Sequence, residues 1–245
     1  MNKDERWLLE EKYGGKKTAE YKVDVERLAS GEPLGYVIGW QPFLGLKIYL
    51  DSKPLIPRPE TEWWAERLFL THVGRSTSHI RFLDLCAGSG AIGCAALVKL
   101  PDAHVYFGEI DPAHEATIQK NVDFVSPHFD ASNIRVGDLF EPFGNMQFDI
   151  IAANPPYIHS GRTPPSSVAD YEPTIALFSG KDGLDLIRRI ASELPRRLAK
   201  GGEAWIECDS AAAAAAAALF TNQGFTAEIR TDQYDTPRII VVSFP

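Results

Sequence analysis

The sequence predicts an α/β fold built on a mainly parallel sheet, with a small helical segment and a β-hairpin ahead of it. Three observations carry that reading. From residue 80 onward, apolar runs of strand length alternate with helical segments, the pattern that generates parallel sheets. The first run opens into a loop of small residues, Cys86-Ala87-Gly88-Ser89-Gly90, whose glycines permit a sharp turn and close approach of backbone N–H groups to a ligand. A later run, Phe148 to Ala153, stops at Asn154-Pro155-Pro156-Tyr157, because neither proline has an N–H to continue a ladder. The chain divides into an N-terminal part, 1–70, and a sheet domain, 71–245.

Lys3 to Lys12 reads as a helix ended by Gly14-Gly15. Tyr21 to Ala29 reads as a second, with Val23, Val25 and Leu28 as its apolar positions. The pair is too short to hold a core alone and must pack on the main domain or a partner. Tyr36-Val37-Ile38-Gly39 and Leu46 to Leu50 are rich in strand formers and predict a hairpin with a long aromatic loop, Trp40 to Gly45. Leu55 to Glu62 holds two prolines around Arg58, which makes a stiff extended strap. Thr61 is placed to cap a helix starting near Glu62. Arg58 or Glu60 would fix a ligand at the mouth of a site, or the strap itself. His72 to Ser78 reads as a polar linker.

The sheet begins at Ile80 to Leu85, followed by the small-residue loop and a helix from Ala91 to Leu100. The loop lacks the Gly-Lys-Ser/Thr ending of a P-loop, which argues against ATP. The second strand, Ala103 to Gly108, ends on Glu109, about 20 residues past the glycines, where α/β folds place the acid that accepts ribose hydroxyls. Asp111 is the competing acid, but Asp111-Pro112 has the form of an N-cap and first helical position for Ala113 to Val125. Ile134 to Val136 is a third strand, ending at Asp138, an acceptor for an adenine amino group, and Leu139, a surface for its ring. Phe148 to Ala153 is the fourth. Ile158 to Lys181 reads as a long unstructured loop of the lid or binding type. Leu184 to Leu198 reads as a helix stopped by Gly201-Gly202 and followed by a strand, Glu203 to Glu207. An alanine run, Ala211 to Ala218, reads as a helix. Thr226 to Arg230 and Arg238 to Phe244 close the sheet as a hairpin.

Composition narrows the partners. The net charge of −8 lacks the basic excess that binds phosphate backbones, which argues against a nucleic-acid substrate. No window approaches the roughly 20 apolar residues of a membrane span. The first residues carry acids and no apolar core, unlike a signal or transit peptide, so the expectation is a cytoplasmic protein, with an organellar matrix as the other compartment. Cys86, Cys94, Cys208 and the six histidines show no ligand spacing, so no metal is expected.

Asn154 offers one acceptor oxygen and two donor hydrogens, the Pro155 carbonyl adds a fixed acceptor, and Tyr157 a flat face. Together they suit a planar –NH2 group held by its hydrogens. With these residues in place the chain resembles the release-factor glutamine methyltransferases. The similarity runs over roughly residues 30 to 245 through Gly31 to Gly39, Ile56-Pro57-Arg58-Pro59-Glu60-Thr61-Glu62, Asp84 to Gly90, Asn154 to Tyr157, Tyr171-Glu172-Pro173 and Asp182-Gly183-Leu184. The resemblance implies a class I methyltransferase, Rossmann-like, with a seven-stranded sheet whose last strand is antiparallel. It implies S-adenosyl-L-methionine as cofactor, bound at Cys86, Ala87, Gly88, Ser89, Gly90, Glu109 and Leu139, with Asp138 and Asn154 beside it. It implies a peptide chain release factor as substrate, its Gly-Gly-Gln glutamine held by Asn154, Pro155, Pro156 and Tyr157, with Asn154, Pro155 and Tyr157 carrying the catalysis. The alternative substrate for the same –NH2 pocket is adenine N6 of DNA or RNA. Cys86-Ala87 stands where the family usually has Gly-Thr, and residues 1–30 are shorter than its usual helical N-terminal domain.

Overall fold

The structure is a computed structural model that describes residues 1–72 and 79–245. Apart from His72, the predicted linker lies outside the described residues.

The N-terminal part holds α1 (Lys3–Glu11), α2 (Ala19–Ala29) and α3 (Leu34–Ile38), then β1 (Trp40–Phe43) paired antiparallel with β2 (Leu46–Tyr49). Asn2 and Thr18 cap the first two helices through their side-chain oxygens. Leu8, Leu9 and Tyr21 bury against Val37 and Ile38, so the small helices pack on α3. Val23, expected on the apolar face of α2, is instead 56% exposed, and Tyr21 takes the inward position. Tyr36 to Ile38 was expected as a strand and is helical. Gly39 takes φ 96° and ends that turn with its N–H on the Gly35 carbonyl. The hairpin connection is accordingly short: Leu44 and Gly45 take φ 48° and 81°, two left-handed residues in a two-residue turn, in place of a long aromatic loop.

The strap leads into α4 (Pro59–Leu70), which starts earlier than expected, with proline at its first turn. Thr61 is therefore inside the helix and does not cap it. The larger sheet has the order β5-β4-β3-β6-β7-β9-β8. Its parallel core is β3 (Arg81–Leu85), β4 (His104–Glu109), β5 (Ile134–Val136), β6 (Phe148–Ala153) and β7 (Leu198–Glu207). β8 (Thr226–Thr231) and β9 (Pro237–Ser243) close one edge, with β9 antiparallel to both neighbours. The resemblance's seven-stranded sheet is thus present.

Alternation along the strands sorts side chains onto two cores. Phe82, Phe107, Ile150 and Trp205 face α4, α5 (Ala91–Lys99) and α6 (Glu115–Val125). Leu83, Leu85, Ile151 and Ile206 face α8 (Asp185–Arg197) and α9 (Ala213–Thr221). Asp111 caps a 3-10 turn, Pro112–His114, ahead of α6. Gly201-Gly202 does not stop a helix; both glycines lie within β7. A Cβ at Gly202 would meet the Asp149 carbonyl at 2.6 Å, so glycine is needed for close approach to β6. The expected loop over Ile158 to Lys181 is not structureless: it contains α7 (Ser166–Ala169), a 3-10 turn at Thr174–Ala176, and a bridge between Ile158 and Phe178.

Candidate active site

Parallel pairing aligns the strand ends. Leu85 pairs with Gly108 and Ala153, and Ala153 with Ile206, so Cys86, Glu109, Asn154 and Glu207 form one row along the carboxyl edge. Open α/β sheets bind ligands at that edge.

Two cavities lie over it. One, of about 270 Å³, is lined by Cys86, Gly88, Glu109, Ile110, His114, Asp138, Leu139, Asn154, Pro156 and Phe178. The Glu109 carboxylate is 6% exposed and accepts from Gly88 N at 2.7 Å and Asp111 N at 2.9 Å. It therefore braces the glycine loop while keeping a free lone pair on each oxygen. Asp111, the competing acid, turns its side chain to Ala113 N at 2.9 Å. Asp138 accepts from Arg189 Nη2 at 2.7 Å, so one of its oxygens is engaged by a residue the sequence did not point to. Cys86 takes φ 63°, a left-handed conformation that favours glycine, the residue the resembling family carries there. Ala87 and Ser89 hold the loop from below: Gly90 N donates to the Ala87 carbonyl at 2.7 Å and Asn121 Nδ2 to the Ser89 carbonyl at 2.9 Å. Asn121 also bonds both backbone groups of Tyr49, which ties the hairpin to the loop. Beneath it Asp84, 1% exposed, accepts from Gly93 N at 2.8 Å. Burial, then the Glu109 charge, push the Asp84 carboxyl up to about 8.

The other cavity, of about 440 Å³, is lined by Arg58, Glu60, Asn154, Pro155, Tyr157, Arg162, Pro165, Glu207 and Arg238. Asn154 and Leu55 line both cavities. Asn154 Nδ2 donates to Thr61 Oγ1 at 3.1 Å. Among the described residues nothing in the protein donates to Asn154 Oδ1 or to the Pro155 carbonyl. Tyr157 presents its ring with its hydroxyl donated to Glu207 Oε1 at 2.9 Å. Arg58 fixes the strap rather than standing free: it pairs with Glu172 Oε1 at 2.5 Å.

Glu207 is a further residue the sequence reading missed. It is fully buried and takes hydrogen bonds from Thr61 Oγ1 at 2.7 Å, Trp64 Nε1 at 2.8 Å and Tyr157. Burial raises its carboxyl above the ordinary range, against the pull of those three donors and of Arg238. The signal available was an acid closing an apolar strand, Ala204-Trp205-Ile206-Glu207.

A family model described as a methyltransferase small domain matches residues 64–170. A release factor glutamine methyltransferase from Geobacter sulfurreducens is 36% identical over 82% of this chain and 69% of its own length. One from Thermodesulfovibrio yellowstonii is 33% identical over 89% of this chain and 78% of its own. Among solved structures, a ribosomal protein L11 methylase from Lactobacillus delbrueckii subsp. bulgaricus superposes with a TM-score of 0.59 at 13% identity, over 84% of this chain and 91% of that one, a likeness of fold alone. Among the described residues no helix is long and apolar enough to cross a membrane.

Proposed function

The chain belongs to the release factor glutamine methyltransferase family, and we propose that Asn154-Pro155-Pro156-Tyr157 is where it holds the side chain it modifies. It is a protein-(glutamine-N5) methyltransferase that uses S-adenosylmethionine, and its substrate is the glutamine of the Gly-Gly-Gln motif of a peptide chain release factor. The observation that carries the site assignment is that Asn154 lines both cavities, one suited to an adenosine and one open to a protein.

The smaller cavity fits the cofactor by its chemistry. Ile110, Leu139 and Phe178 give apolar walls for a purine, and Glu109 offers two free lone pairs to ribose hydroxyls. Asp138 and the Cys86 to Gly90 backbone complete the binding surface. When bound, S-adenosylmethionine supplies a methyl group on a positively charged sulfur, a good leaving group.

A carboxamide nitrogen is a poor nucleophile, because its lone pair is delocalised into the carbonyl. Asn154 Oδ1 and the Pro155 carbonyl accept its two hydrogens, which raises electron density on nitrogen and aims it at the smaller cavity. Tyr157 and Pro156 wall the amide plane. The strap and the 158–181 segment exclude water, so alignment and desolvation supply the rate. No acid or base is assigned, since the product can lose its proton after transfer. The net charge of −8 disfavours bare nucleic acid. The compartment we assign is the cytoplasm, where release factors act.

Incubation with methyl-labelled cofactor, an intact release factor and DNA or RNA tests the reading. Label is expected on the Gly-Gly-Gln glutamine and not on nucleic acid, and Asn154→Ala should abolish it with cofactor affinity retained. Label on adenine, with none on any release factor, would overturn it.

A further inference from the structure

A side-chain amide has two ends of opposite polarity, and a clamp that must accept hydrogens works only with its oxygen facing the substrate. Which way Asn154 points is decided behind it. Both oxygens of the Glu207 carboxyl act as acceptors, Oε2 for Thr61 Oγ1 and Trp64 Nε1 and Oε1 for the Tyr157 hydroxyl. Trp64 Nε1 can only donate, and it takes the same Oε2 that Thr61 reaches. The Thr61 hydroxyl has one hydrogen, and that hydrogen is spent on Glu207 at 2.7 Å. Toward Asn154 the Thr61 oxygen is therefore an acceptor only. Asn154 meets it with Nδ2 at 3.1 Å, which turns Oδ1 away, toward the cleft.

We propose that Glu207 and Thr61 are positioning residues that fix the polarity of the clamp, so that the site admits a –NH2 group and rejects a carboxylate in its place. The proposal rests on the reading of Asn154 as the acceptor for the substrate amide. A flipped Asn154 would set its oxygen against the hydrogen-less oxygen of Thr61. Thr61 is 4% exposed and Glu207 is fully buried, so water is not at hand to relieve that contact. The relay adds a substrate preference to the reaction. A release factor whose glutamine has become glutamate presents oxygens to two acceptors, Asn154 Oδ1 and the Pro155 carbonyl, and is refused at binding. The same relay locks Tyr157, whose hydroxyl hydrogen also goes to Glu207, so the ring walls the site and donates nothing into it.

Thr61 comes from the first turn of α4, Glu207 from the end of β7 and Asn154 from the end of β6. The helix that follows the strap therefore also carries a residue that orients the clamp.

The test compares the full-length enzyme with T61V, T61S, N154D and N154A. For each, kcat, cofactor Kd and the affinities of an intact release factor and of its Gln→Glu form are measured. T61V keeps the side-chain shape and removes the hydroxyl. It is expected to lower kcat about tenfold to a hundredfold and to shrink the preference for glutamine over glutamate by a similar factor, with cofactor Kd within about twofold. T61S, which restores the hydroxyl, should recover both to within about threefold. A merely structural role for Thr61 would not move the glutamine-to-glutamate ratio. N154D leaves Thr61 and Glu207 untouched, so it decides the matter even if T61V folds poorly: an oxygen then faces Thr61, and turnover should fall at least about tenfold. Wild-type turnover in N154D, or T61V with an unchanged kcat and an unchanged ratio while N154A is inactive, would overturn the relay and leave the clamp standing. Wild-type turnover in N154A would overturn the clamp and the relay with it.

Discussion

Gly183 lies against the backbone of Tyr157: a Cβ built at residue 183 would come within 2.3 Å of the Tyr157 carbonyl oxygen. Gly183 also has φ 79°, where a side chain is strained whatever the space. The segment after the proposed clamp thus folds back and presses on it. Gly183→Ala should cost about 2–3 kcal/mol of stability from overpacking and left-handed strain together. It should also displace Tyr157 and lower kcat, with cofactor affinity nearly unchanged. Thermal unfolding and steady-state kinetics check both; a variant with wild-type kcat would show that the clamp tolerates movement of Tyr157.

Glu109→Ala removes two things at once, a brace for Gly88 N and an acceptor facing the smaller cavity. Hydrogen bonds to a charged group are worth about 1.5–3 kcal/mol each. Affinity for S-adenosylmethionine should therefore fall by at least about tenfold. Asp111→Ala, which loses a cap on Ala113 N and a 3.9 Å contact with His114 Nε2, should bind the cofactor nearly as the wild type does. Calorimetry on the two variants separates them, and a reversed order would move the ribose contact to Asp111.

Much of this site was legible in the chain, for physical reasons that differ between residues. Asn154 and Glu109 close short apolar strands, and strand ends in a parallel sheet converge on one edge, so their meeting follows from alternation of elements alone. Gly183 was readable only as part of a resemblance; its reason, close packing on Tyr157, is tertiary. Glu207 and Thr61 escaped because their meaning depends on each other. An acid ending a strand and a threonine before a helix have ordinary local roles, a turn and a cap. Only the fold, across a sequence separation of 146, brings them within 2.7 Å. The Tyr36 to Ile38 error has a local cause. Its β-favouring side chains suit a strand, but Gly39 closes a helical turn and all three side chains bury where that turn points them.

Acid should open the N-terminal helices. Asp24 and Glu32 sit in a charge network: Lys12, Tyr13 and Arg27 bond Asp24, and Arg27 and Lys53 bond Glu32. Hydrogen bonds from Arg27 hold the Glu32 carboxyl down to about 2, against a burial effect that would raise it. Burial likewise works to raise Asp24, but the three donors overcome it and its carboxyl lies below the ordinary range. Both folded values are depressed, so the stability they contribute is full above the ordinary values of 4.5 and 3.8 and is lost as pH falls toward about 2. Amide-exchange protection of residues 3–29 should decline across that window, and Glu32→Gln should flatten the decline. Protection that stays level from pH 5 to about 2 would show that the network contributes nothing to holding the helices.

The strap is held by one ion pair whose two ends differ in their surroundings, and that asymmetry predicts an order of effects. Glu172 has a side chain only 1% exposed, while that of Arg58 is 30% exposed. Glu172 also accepts from Ile56 N at 3.4 Å, so it holds the strap by backbone and side chain together. Burial pushes its carboxyl up, and Arg58 opposes that push. Removing Arg58 leaves a buried carboxylate without its partner; removing the charge from Glu172 leaves an arginine that water can reach. Arg58→Ala should therefore cost more stability than Glu172→Gln. A loss of about 2 kcal/mol is expected for the first, below the usual cost of breaking a buried pair because Arg58 is partly solvated, and about 1 kcal/mol for the second. Both should raise KM for the release factor, since Arg58 itself lines the larger cavity and the strap carries Leu55, which lines both cavities. Denaturant unfolding of the two variants gives the order. If Glu172→Gln is the more damaging, the Ile56 contact, and not the ion pair, is what holds the strap closed.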